Sequence, residues 1–426
     1  MRFSEKSTLE RILTWTALLT TLIVTPWFSY EPINVPKLAV ITLGAFMGLG
    51  VLAANFKQEW LAVYKSELVI IGLFIVDLTL ILIFSGNNFY QEFFGTFGRA
   101  TGYVAYICLS LLLLCALVVS GPNLIKKLAL MVLVGGVLSA TYGVIQSLNL
   151  DPINWSNPYS PVLGFLGNPN FQSSFIGFSG VITFAYLIQK TQKPVFRVGL
   201  MLYLIIAAYV IYKTDSQQGF LVLAGGIGIV FLIWVKSTKF RRLATSLTLA
   251  STVGVFIAGL GMLKMGPLAS LLYKPSVTYR GDYWRAGWEM TLEHPFSGVG
   301  LDSYGDWYRR TRTVEATLRR GPEITTNAAH NVLLDLSSNG GFPLLIIYLV
   351  LTGLVIRSIF RLLRRGSSFD APLAGLIAIW VAYHAQSIIS LNQLGLAVWG
   401  WIISGLIIGY EINTRTRETV VEIKPP

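Results

Sequence analysis

The stretch "TTNAAHNVLLDLSSNGGFPLLIIYLVLTGLVIRSIF", residues 325–360, joins two kinds of sequence. Its second half is an apolar run long enough to cross a hydrocarbon core about 30 Å thick. Its first half is polar and carries His330, one of only three histidines in the chain. The pair Gly340–Gly341 and then Pro343 interrupt helices. The pattern predicts a short helix over 330–338, a break, and a membrane span, so the histidine lies where a water-exposed loop meets the lipid.

Apolar runs of this length recur along most of the chain. The sequence is 54% hydrophobic and 13% charged, whereas soluble globular chains carry roughly 25% charged residues. We therefore predict an all-α polytopic membrane protein, a single integral membrane domain over residues 1–426 with about twelve transmembrane helices. The predicted spans are 11–29, 36–54, 67–85, 101–120, 126–146, 171–189, 196–212, 218–235, 244–263, 342–361, 371–390 and 394–411.

The distribution of lysine and arginine predicts the orientation. Every short connection rich in these residues falls on one side, which is also the side of both termini. Because such connections stay in the cytoplasm, we predict cytoplasmic termini. Most of the net charge of +12 then follows from topology, and no nucleic-acid partner is needed to explain it.

The connections predicted to lie outside include three long or polar ones, 85–103 with Arg99, 151–172, and 264–330 between the ninth and tenth spans. The last contains two amphipathic patterns, which predict one helix ending at Pro295 and a second over 302–321. Their apolar faces would consist of Trp284, Trp288 and Leu292, and of Tyr304, Trp307, Val314 and Leu318. Their arginines suit contact with lipid head groups or, for Arg280 above all, binding of an anion.

Other polar residues give weaker signals. Asp77 lies inside a predicted span, where a carboxylate is costly and points to function or to a structural partner. For His384 a buried hydrogen bond is expected, and for His294 a place at a helix end. The two cysteines, Cys108 and Cys115, share one predicted span and imply neither a disulfide framework nor a metal cluster.

Two segments together resemble a known family. "RGDYWRAGWEMTLEHPFSGVGLDSYGDWY" (280–308) and "AAHNVLLDLSSNGGFPLLIIYLVLTGLV" (328–355) resemble the signature region of the O-antigen ligase and O-antigen polymerase superfamily. The motif residues are Arg280, Trp284, His294, Pro295, Gly298, Val299, Gly300, His330, Asn331 and Gly340. The resemblance covers residues 213 to about 361. The motif "GNPN" at 167–170 and the long loop between the ninth and tenth of twelve spans also fit the family.

The resemblance implies a membrane glycosyltransferase of GT-C-like fold in the bacterial cytoplasmic (inner) membrane, with its active site facing the periplasm. It implies a glycan on undecaprenyl pyrophosphate as donor and lipid A core or another surface glycan as acceptor, hence a role in O-antigen and lipopolysaccharide biosynthesis. The catalytic roles carried over fall on His330 and Arg280. The further candidates for substrate binding are Arg99, Lys213, Gln217, Asn331, Trp284 and Arg285.

These residue types suit the chemistry. A departing pyrophosphate needs its charge neutralised, which guanidinium groups do well. The attacking sugar hydroxyl must lose a proton, and a neutral histidine is a suitable base. Attack from the face opposite the leaving group inverts the anomeric centre. The sequence has no Asp-x-Asp motif, so we predict that neither a metal nor another cofactor takes part.

One position departs from the family pattern. Ligases carry Ser-Arg before the eighth span, whereas "KTDSQQGFLVLAGG" (213–226) has Gln217 after Ser216. A neutral amide cannot replace a guanidinium, so Lys213 or another loop arginine substitutes, or the donor is handled differently.

The sequence leaves two enzymes and one other class open. A ligase transfers the glycan to its final acceptor, whereas a polymerase transfers it to another lipid-linked repeat. A transporter using Asp77 and His384 is the remaining alternative. It is disfavoured because no inverted repeat is visible and because transport does not need a long outer loop rich in tryptophan and arginine.

Overall fold

The computed structural model describes residues 3–27, 30–155, 162–273, 275–366 and 368–423. The described chain is helical, with one short 3₁₀ helix at Gly164–Leu166. The α-helices are α1 Phe3–Leu22, α2 Asn34–Ala54, α3 Glu59–Val63, α4 Lys65–Phe84, α5 Phe89–Phe94, α6 Tyr103–Val119, α7 Pro122–Ser147, α8 Pro169–Ile188, α9 Pro194–Lys213, α10 Gln217–Lys236, α11 Arg241–Met262, α12 Ala269–Leu272, α13 Pro275–Glu293, α14 Tyr304–Thr311, α15 Val314–Arg320, α16 Val332–Arg365, α17 Ala371–Ser387 and α18 Leu394–Ile423.

Each of the twelve predicted spans overlaps one of these helices, although the first, 11–29, extends past the end of α1 at Leu22 and its last two residues lie outside the described ranges. In the part of the chain that is described, nine helices are long and apolar enough to cross a membrane, and α6 is a shorter apolar helix. The class is therefore confirmed: this is an all-helical integral membrane protein. The count of twelve crossings stays a prediction, because α1, α6 and α17 do not reach the same length and hydropathy.

Local sequence fixes where several helices begin. Asn168 precedes α8, and its side chain accepts a hydrogen bond from the backbone of Asn170, while Pro169 occupies the first turn. Ser216 and Asp370 cap α10 and α17 in the same way. An oxygen at the cap satisfies amide groups that the first turn of a helix leaves without partners.

Small residues bring the central helices into contact. α18 is buried along most of its membrane length and packs against α6. Gly405 and Gly409, four residues apart, face the backbone carbonyls of Leu113 and Leu117, where a Cβ would come within 2.1 Å. Close approach of backbones through small residues at this spacing is typical of helix pairs in membranes. Larger side chains at either glycine would separate the two helices.

A kink divides α16 at the predicted place. Gly341 has φ 69° and ψ −171°, outside the helical region, and Pro343 follows. The segment after α13 supplies hydrogen bonds across the kink: Phe342 N–H donates to Pro295 O at 2.8 Å, and Val299 N–H donates to Ser338 O at 2.7 Å. A Cβ on Gly298 would come within 2.3 Å of the α16 backbone. The His-Pro and Gly-Val-Gly motifs thus hold the two halves of α16 at a fixed angle.

The second predicted amphipathic helix is wrong as a single element. Residues 302–321 form two helices, α14 and α15, separated at Arg312, which has an extended backbone. The Thr313 side chain accepts a hydrogen bond from Ala316 and starts the second helix. A cap residue with local hydrogen bonds competes with helix continuation. Tyr304 is buried, whereas Val314 and Leu318 are exposed, so these residues do not share one buried face.

Several loops meet at one end of the bundle. The side chain of Asn34, at the start of α2, donates to Gly98 O at 2.9 Å, and Gln393 donates to the Asn34 side chain at 3.3 Å. Arg99 donates to Asn327, more than two hundred residues away in sequence. The segments before α2, α6, α16 and α18 therefore surround a common region, and His330 lies within it.

Candidate active site

His330 occupies a tight turn immediately before α16. Its φ of 57° lies in the left-handed region, which residues other than glycine adopt at a cost and which often marks a functional position. The turn is held on both sides. Ala329 N–H donates to the Asp335 carboxylate at 2.6 Å, and Asn331 caps α16 by accepting from Leu333 and Leu334. The predicted substrate ligand Asn331 thus fixes the backbone that carries the histidine.

The imidazole of His330 is half-buried, with its ring 5.5 Å from that of Tyr283 between centroids. Nδ1 lies 3.2 Å from the carbonyl oxygen of Ala328. Because a carbonyl can only accept, this contact requires Nδ1 to carry the proton and leaves the lone pair on Nε2. Burial, followed by the positive charge of Arg99, lowers the pKa of His330 from its usual 6.5 to about 4. The ring is therefore neutral at neutral pH.

Three guanidinium groups act on this histidine. Besides Arg99, the charges of Arg280 and Arg320 also lower the pKa of His330. Arg280 lies on α13 and is half-buried, and burial lowers its own pKa. Arg99 donates through Nε and Nη2 to the amide oxygen of Asn327, at 3.1 and 2.8 Å. The structure thus brings together two predicted residues, Arg99 and Arg280, with the predicted histidine.

Arg320 is the member of this group that the sequence did not single out. Its neighbour Arg319 is neutralised by Asp282 at 2.7 Å. Arg320 instead lies over the rings of Tyr279 and Tyr283, 4.5 and 5.5 Å from their centroids. Consecutive arginines on a short helix point in different directions, and only the packing of α15 on α13 decides which one faces His330. The aromatic spacing on α13 was the one signal available in the sequence.

Two donors near these arginines lack partners. The indole Nε1 of Trp284 and Nη1 of Arg320 are buried, and within the described residues neither has a hydrogen-bond acceptor. Buried donors without partners cost free energy and call for an explanation. A ligand with acceptor oxygens in contact with either atom would satisfy it. Trp284 was among the predicted substrate-binding residues.

The loop before α6 holds Arg99 in place. The carboxylate of Asp302, which follows α13, accepts from the Thr96 backbone at 2.6 Å and from the Thr101 side chain at 3.2 Å. Asn87 donates to Val299 O at 2.7 Å and to Glu92 at 3.0 Å. These bonds tie the segment of Arg99 to the same turn that pairs with the kink of α16.

A polar cavity of about 210 Å³ adjoins Arg99. Asn168 of the GNPN motif and Gln393 contribute to its wall. Next to it, Arg99, Asp302, Asp335 and Asn327 line a smaller cavity of about 20 Å³, the scale of one water molecule. Arg99 thus borders both cavities and connects them.

Three predicted residues lie elsewhere. Arg285 is on the exposed face of α13, where its charge acts on Glu315. Lys213 ends α9 with its ammonium 5.7 Å from the Tyr209 ring centroid. Gln217 is exposed, whereas its neighbour Gln218 is buried and donates a hydrogen bond to Gln386. An arginine at position 217 would therefore not extend into the space that Gln218 fills.

The remaining polar candidates have other surroundings. His294 packs edge-on against Trp307 at 4.8 Å. Asp77 is half-buried on α4, and one of its carboxylate oxygens is buried without a hydrogen-bond partner among the described residues. His384 lies among aromatic rings on α17. In the described ranges no cluster of three or more histidine, cysteine or acidic side chains could hold a metal ion.

Comparison with known proteins identifies a family that matches the segment around the site. No curated protein matches the chain. Residues 202–349 match the family described as O-antigen ligase. The matched segment runs from α9 into α16 and includes Arg280, Arg320 and His330, whereas Arg99 lies outside it. This segment is similar to the O-antigen ligase family, and the match supports membership of the O-antigen ligase and O-antigen polymerase superfamily.

Proposed function

We propose that the protein transfers a glycan from a polyprenyl pyrophosphate, of the undecaprenyl type, to a sugar hydroxyl on lipid A core or another surface acceptor. One observation carries the proposal: the charges of Arg99, Arg280 and Arg320 act on a neutral histidine, and Arg99 also borders a polar cavity. Among the described residues, no carboxylate forms an ion pair with Arg280 or Arg320. An excess of guanidinium charge beside a base suits an anionic leaving group.

The arginines act on the donor. Arg280, with Arg99 and Arg320 beside it, binds the pyrophosphate and stabilises the negative charge that grows as the bond to the sugar breaks. A guanidinium presents a planar fork of donors that matches phosphate oxygens. Because Arg99 is held by Asn327 and Arg320 lies over the rings of Tyr279 and Tyr283 before the substrate arrives, these two groups need little reorganisation at the moment of reaction.

His330 acts on the acceptor. Its Nε2 takes the proton of the attacking hydroxyl as the new bond between that oxygen and the anomeric carbon forms. The bond from the anomeric carbon to the pyrophosphate oxygen breaks, polyprenyl pyrophosphate leaves with the electron pair, and the configuration inverts. The imidazolium then formed lies near the departing anion, which offsets the repulsion from the arginines. No metal or other cofactor has a part in these steps.

A transfer assay tests the proposal and its runner-up. Purified protein in vesicles would receive one lipid-linked glycan donor with either lipid A core or a second lipid-linked repeat as acceptor. Transfer to the core only supports a ligase, whereas extension of the lipid-linked repeat supports a polymerase. Absence of transfer to both acceptors, with uptake of labelled solute instead, would contradict the enzyme proposal and favour a transporter.

The orientation is part of the proposal. We place the termini in the cytoplasm and the insertion 264–330, with His330 at its end, on the periplasmic side of the inner membrane. A reporter fused near Ser303 should then be accessible from outside, and one fused after Arg365 should be accessible only from the cytoplasm. The opposite pattern would place His330 among nucleotide sugars and remove the reason for a lipid-linked donor.

A further inference from the structure

The polar cavity beside Arg99 has room for one small ring. Its volume of about 210 Å³ equals the liquid volume of about seven water molecules, at roughly 30 Å³ each. Four segments that lie far apart in the chain form its wall: the segment leading into α2 with Glu31 and Asn34, the loop with Arg99, the GNPN motif, and the segment before α18 with Gln393. One sugar ring fits this volume, whereas a disaccharide does not.

The wall of this cavity is fixed by contacts within the protein. The carboxamide of Gln393 donates to that of Asn34 at 3.3 Å, which joins the segments before α18 and α2. Gly167, the first residue of the GNPN motif, has φ 68°, and a Cβ there would come within 2.0 Å of Ile33. Glycine at this position therefore allows the motif to close against the start of α2. Because the wall is formed without a ligand, binding does not have to order it.

Two hydrogen-bond donors on the wall are open. The side-chain oxygen of Asn168 accepts from the Asn170 backbone at 2.9 Å, while its amide nitrogen has no partner among the described residues. Arg99 uses Nε and Nη2 for Asn327, and its Nη1 has no partner in the described ranges either. Phe171 adds an apolar surface. A ligand with acceptor oxygens and an apolar C–H face, such as a sugar ring, complements this wall.

The position of the cavity relative to the reacting groups decides which sugar it holds. Of the arginines that act on His330, Arg99 lines the cavity, whereas Arg280, Arg320 and His330 itself are not among the described residues of its wall. The sugar bonded to the pyrophosphate must lie directly beside the arginines. The attacking hydroxyl of the acceptor must instead reach His330. The ring next to Arg99 is therefore a ring of the donor.

We propose that this cavity binds the first sugar of the donor, the ring bonded to the pyrophosphate, with Asn168 and Arg99 donating to its oxygens. The proposal rests on the proposed function and adds a sugar site whose residues lie outside the matched segment 202–349. Because there is room for one ring, the rest of the glycan extends out of the cavity. The site therefore selects donors by their first sugar and not by the remainder of the glycan.

A cap-preserving substitution tests this site. Asn168 caps α8, and serine caps a helix about as well as asparagine, so Asn168→Ser keeps the helix start and removes the amide donor. Asn88→Ser is the matched control, because Asn88 also caps a helix, α5, but is exposed and does not line the cavity.

Binding would be measured in phospholipid nanodiscs. The ligands are polyprenyl pyrophosphate without sugar and the same lipid bearing one sugar, from a panel of hexoses and 2-acetamido hexoses. We expect the wild-type protein to bind at least one sugar-bearing lipid more tightly than the sugar-free lipid. Asn168→Ser should weaken binding of that ligand by about fivefold, the loss of one neutral hydrogen bond. Its affinity for the sugar-free lipid, and both affinities of Asn88→Ser, should change by less than about twofold.

The outcomes separate the sugar site from the reaction. Equal wild-type affinity for the sugar-free lipid and for every sugar-bearing lipid, or an equal loss for both kinds of ligand in Asn168→Ser, would overturn the site even if transfer is observed. Sugar-dependent binding that Asn168→Ser weakens, without transfer to any acceptor, would support the site and contradict the proposed transfer. Binding of neither ligand would overturn both.

Transfer kinetics decide between the donor and the acceptor as occupant. Asn168→Ser should raise the KM for the donor by about fivefold, because the lost hydrogen bond is to the donor's first sugar. The KM for the acceptor should stay within about twofold of the wild-type value. A rise in the KM of the acceptor alone would assign the cavity to the acceptor and overturn the proposal.

Discussion

His330 and His384 lie in two regions that surround a half-buried imidazole in opposite ways. His330 is in a left-handed turn with three arginines near it. His384 is in the regular helix α17, with the rings of Trp380, Tyr383 and Tyr348 at 4.2, 5.1 and 6.3 Å between centroids. Packing among rings gives a histidine a structural role, whereas unpaired cations beside a strained turn prepare a place for an anion. Partial burial alone does not distinguish the two.

Substitution of His330 and of His384 should give the largest difference in transfer rate between two variants. His330→Ala should lower transfer by about two to four decades, the usual contribution of a general base. His384→Phe keeps an aromatic ring among Trp380, Tyr383 and Tyr348 and should leave transfer within about threefold, because the contacts of His384 are with these rings. Single-turnover rates measured with one donor and one acceptor would compare them. A His330→Ala variant with a few per cent of wild-type activity or more would contradict its role as base.

The next largest difference in transfer rate is expected between substitutions of Arg280 and of Arg319. Arg280→Ala should lower transfer by one to two decades, because a charge-assisted hydrogen bond contributes about 1.5–3 kcal/mol. Arg280→Lys should recover part of the loss, since an ammonium lacks the planar fork. Arg319→Ala is the control, because Arg319 already pairs with Asp282 on the surface, and exposed ion pairs contribute little. Full activity of Arg280→Ala would remove the pyrophosphate role.

The positive charges near His330 predict how kcat/KM depends on pH. With a pKa lowered to about 4, the base is neutral above that pH, and kcat/KM should fall only as the pH drops toward 4. Arg320→Gln removes one positive charge, so the pKa of His330 should rise toward 6.5 and the acidic limb should move to higher pH. An unchanged acidic limb in this variant would show that Arg320 does not act on the histidine.

The same shift has a consequence for stability. The folded state disfavours protonated His330, whereas the unfolded chain binds that proton near pH 6.5. The contribution of the residue is therefore present above pH 6.5 and is lost as the pH falls toward 4. Replacement by Gln, which has no charge to gain, should reduce the decline of the unfolding midpoint over this interval.

The smallest effect is expected at Gln217. The family pattern alone suggests that an arginine here would bind the donor or crowd another cation. Because Gln217 is exposed and Gln218 fills the interior, Gln217→Arg should change transfer by less than about twofold, as surface substitutions usually do. A large gain in donor affinity would show that the side chain can reach the arginines, and would bring position 217 into the site.

Single sequence motifs predicted several features of the segment around His330. The break at Gly341 and Pro343 was visible because neither residue continues a helix. His330 was visible because it is a rare polar residue beside an apolar run. The role of Arg320 was not predictable, because five arginines lie within 309–320 and no local sequence rule shows which of them acts on His330. The division of 302–321 into two helices was also missed, since the cap at Thr313 competes with a continuous amphipathic pattern.

The sequence by itself determined that this is a helical membrane protein and which family its central segment matches. These properties follow from run length, hydropathy and local breakers, which act over a few neighbouring residues. Only the tertiary structure decided that the charges of Arg99, Arg280 and Arg320 act together on His330, and that Arg285 and Gln217 are exposed. These depend on how helices rotate and pack, which is set by contacts between residues far apart in the chain, such as Arg99 with Asn327 and Val299 with Ser338.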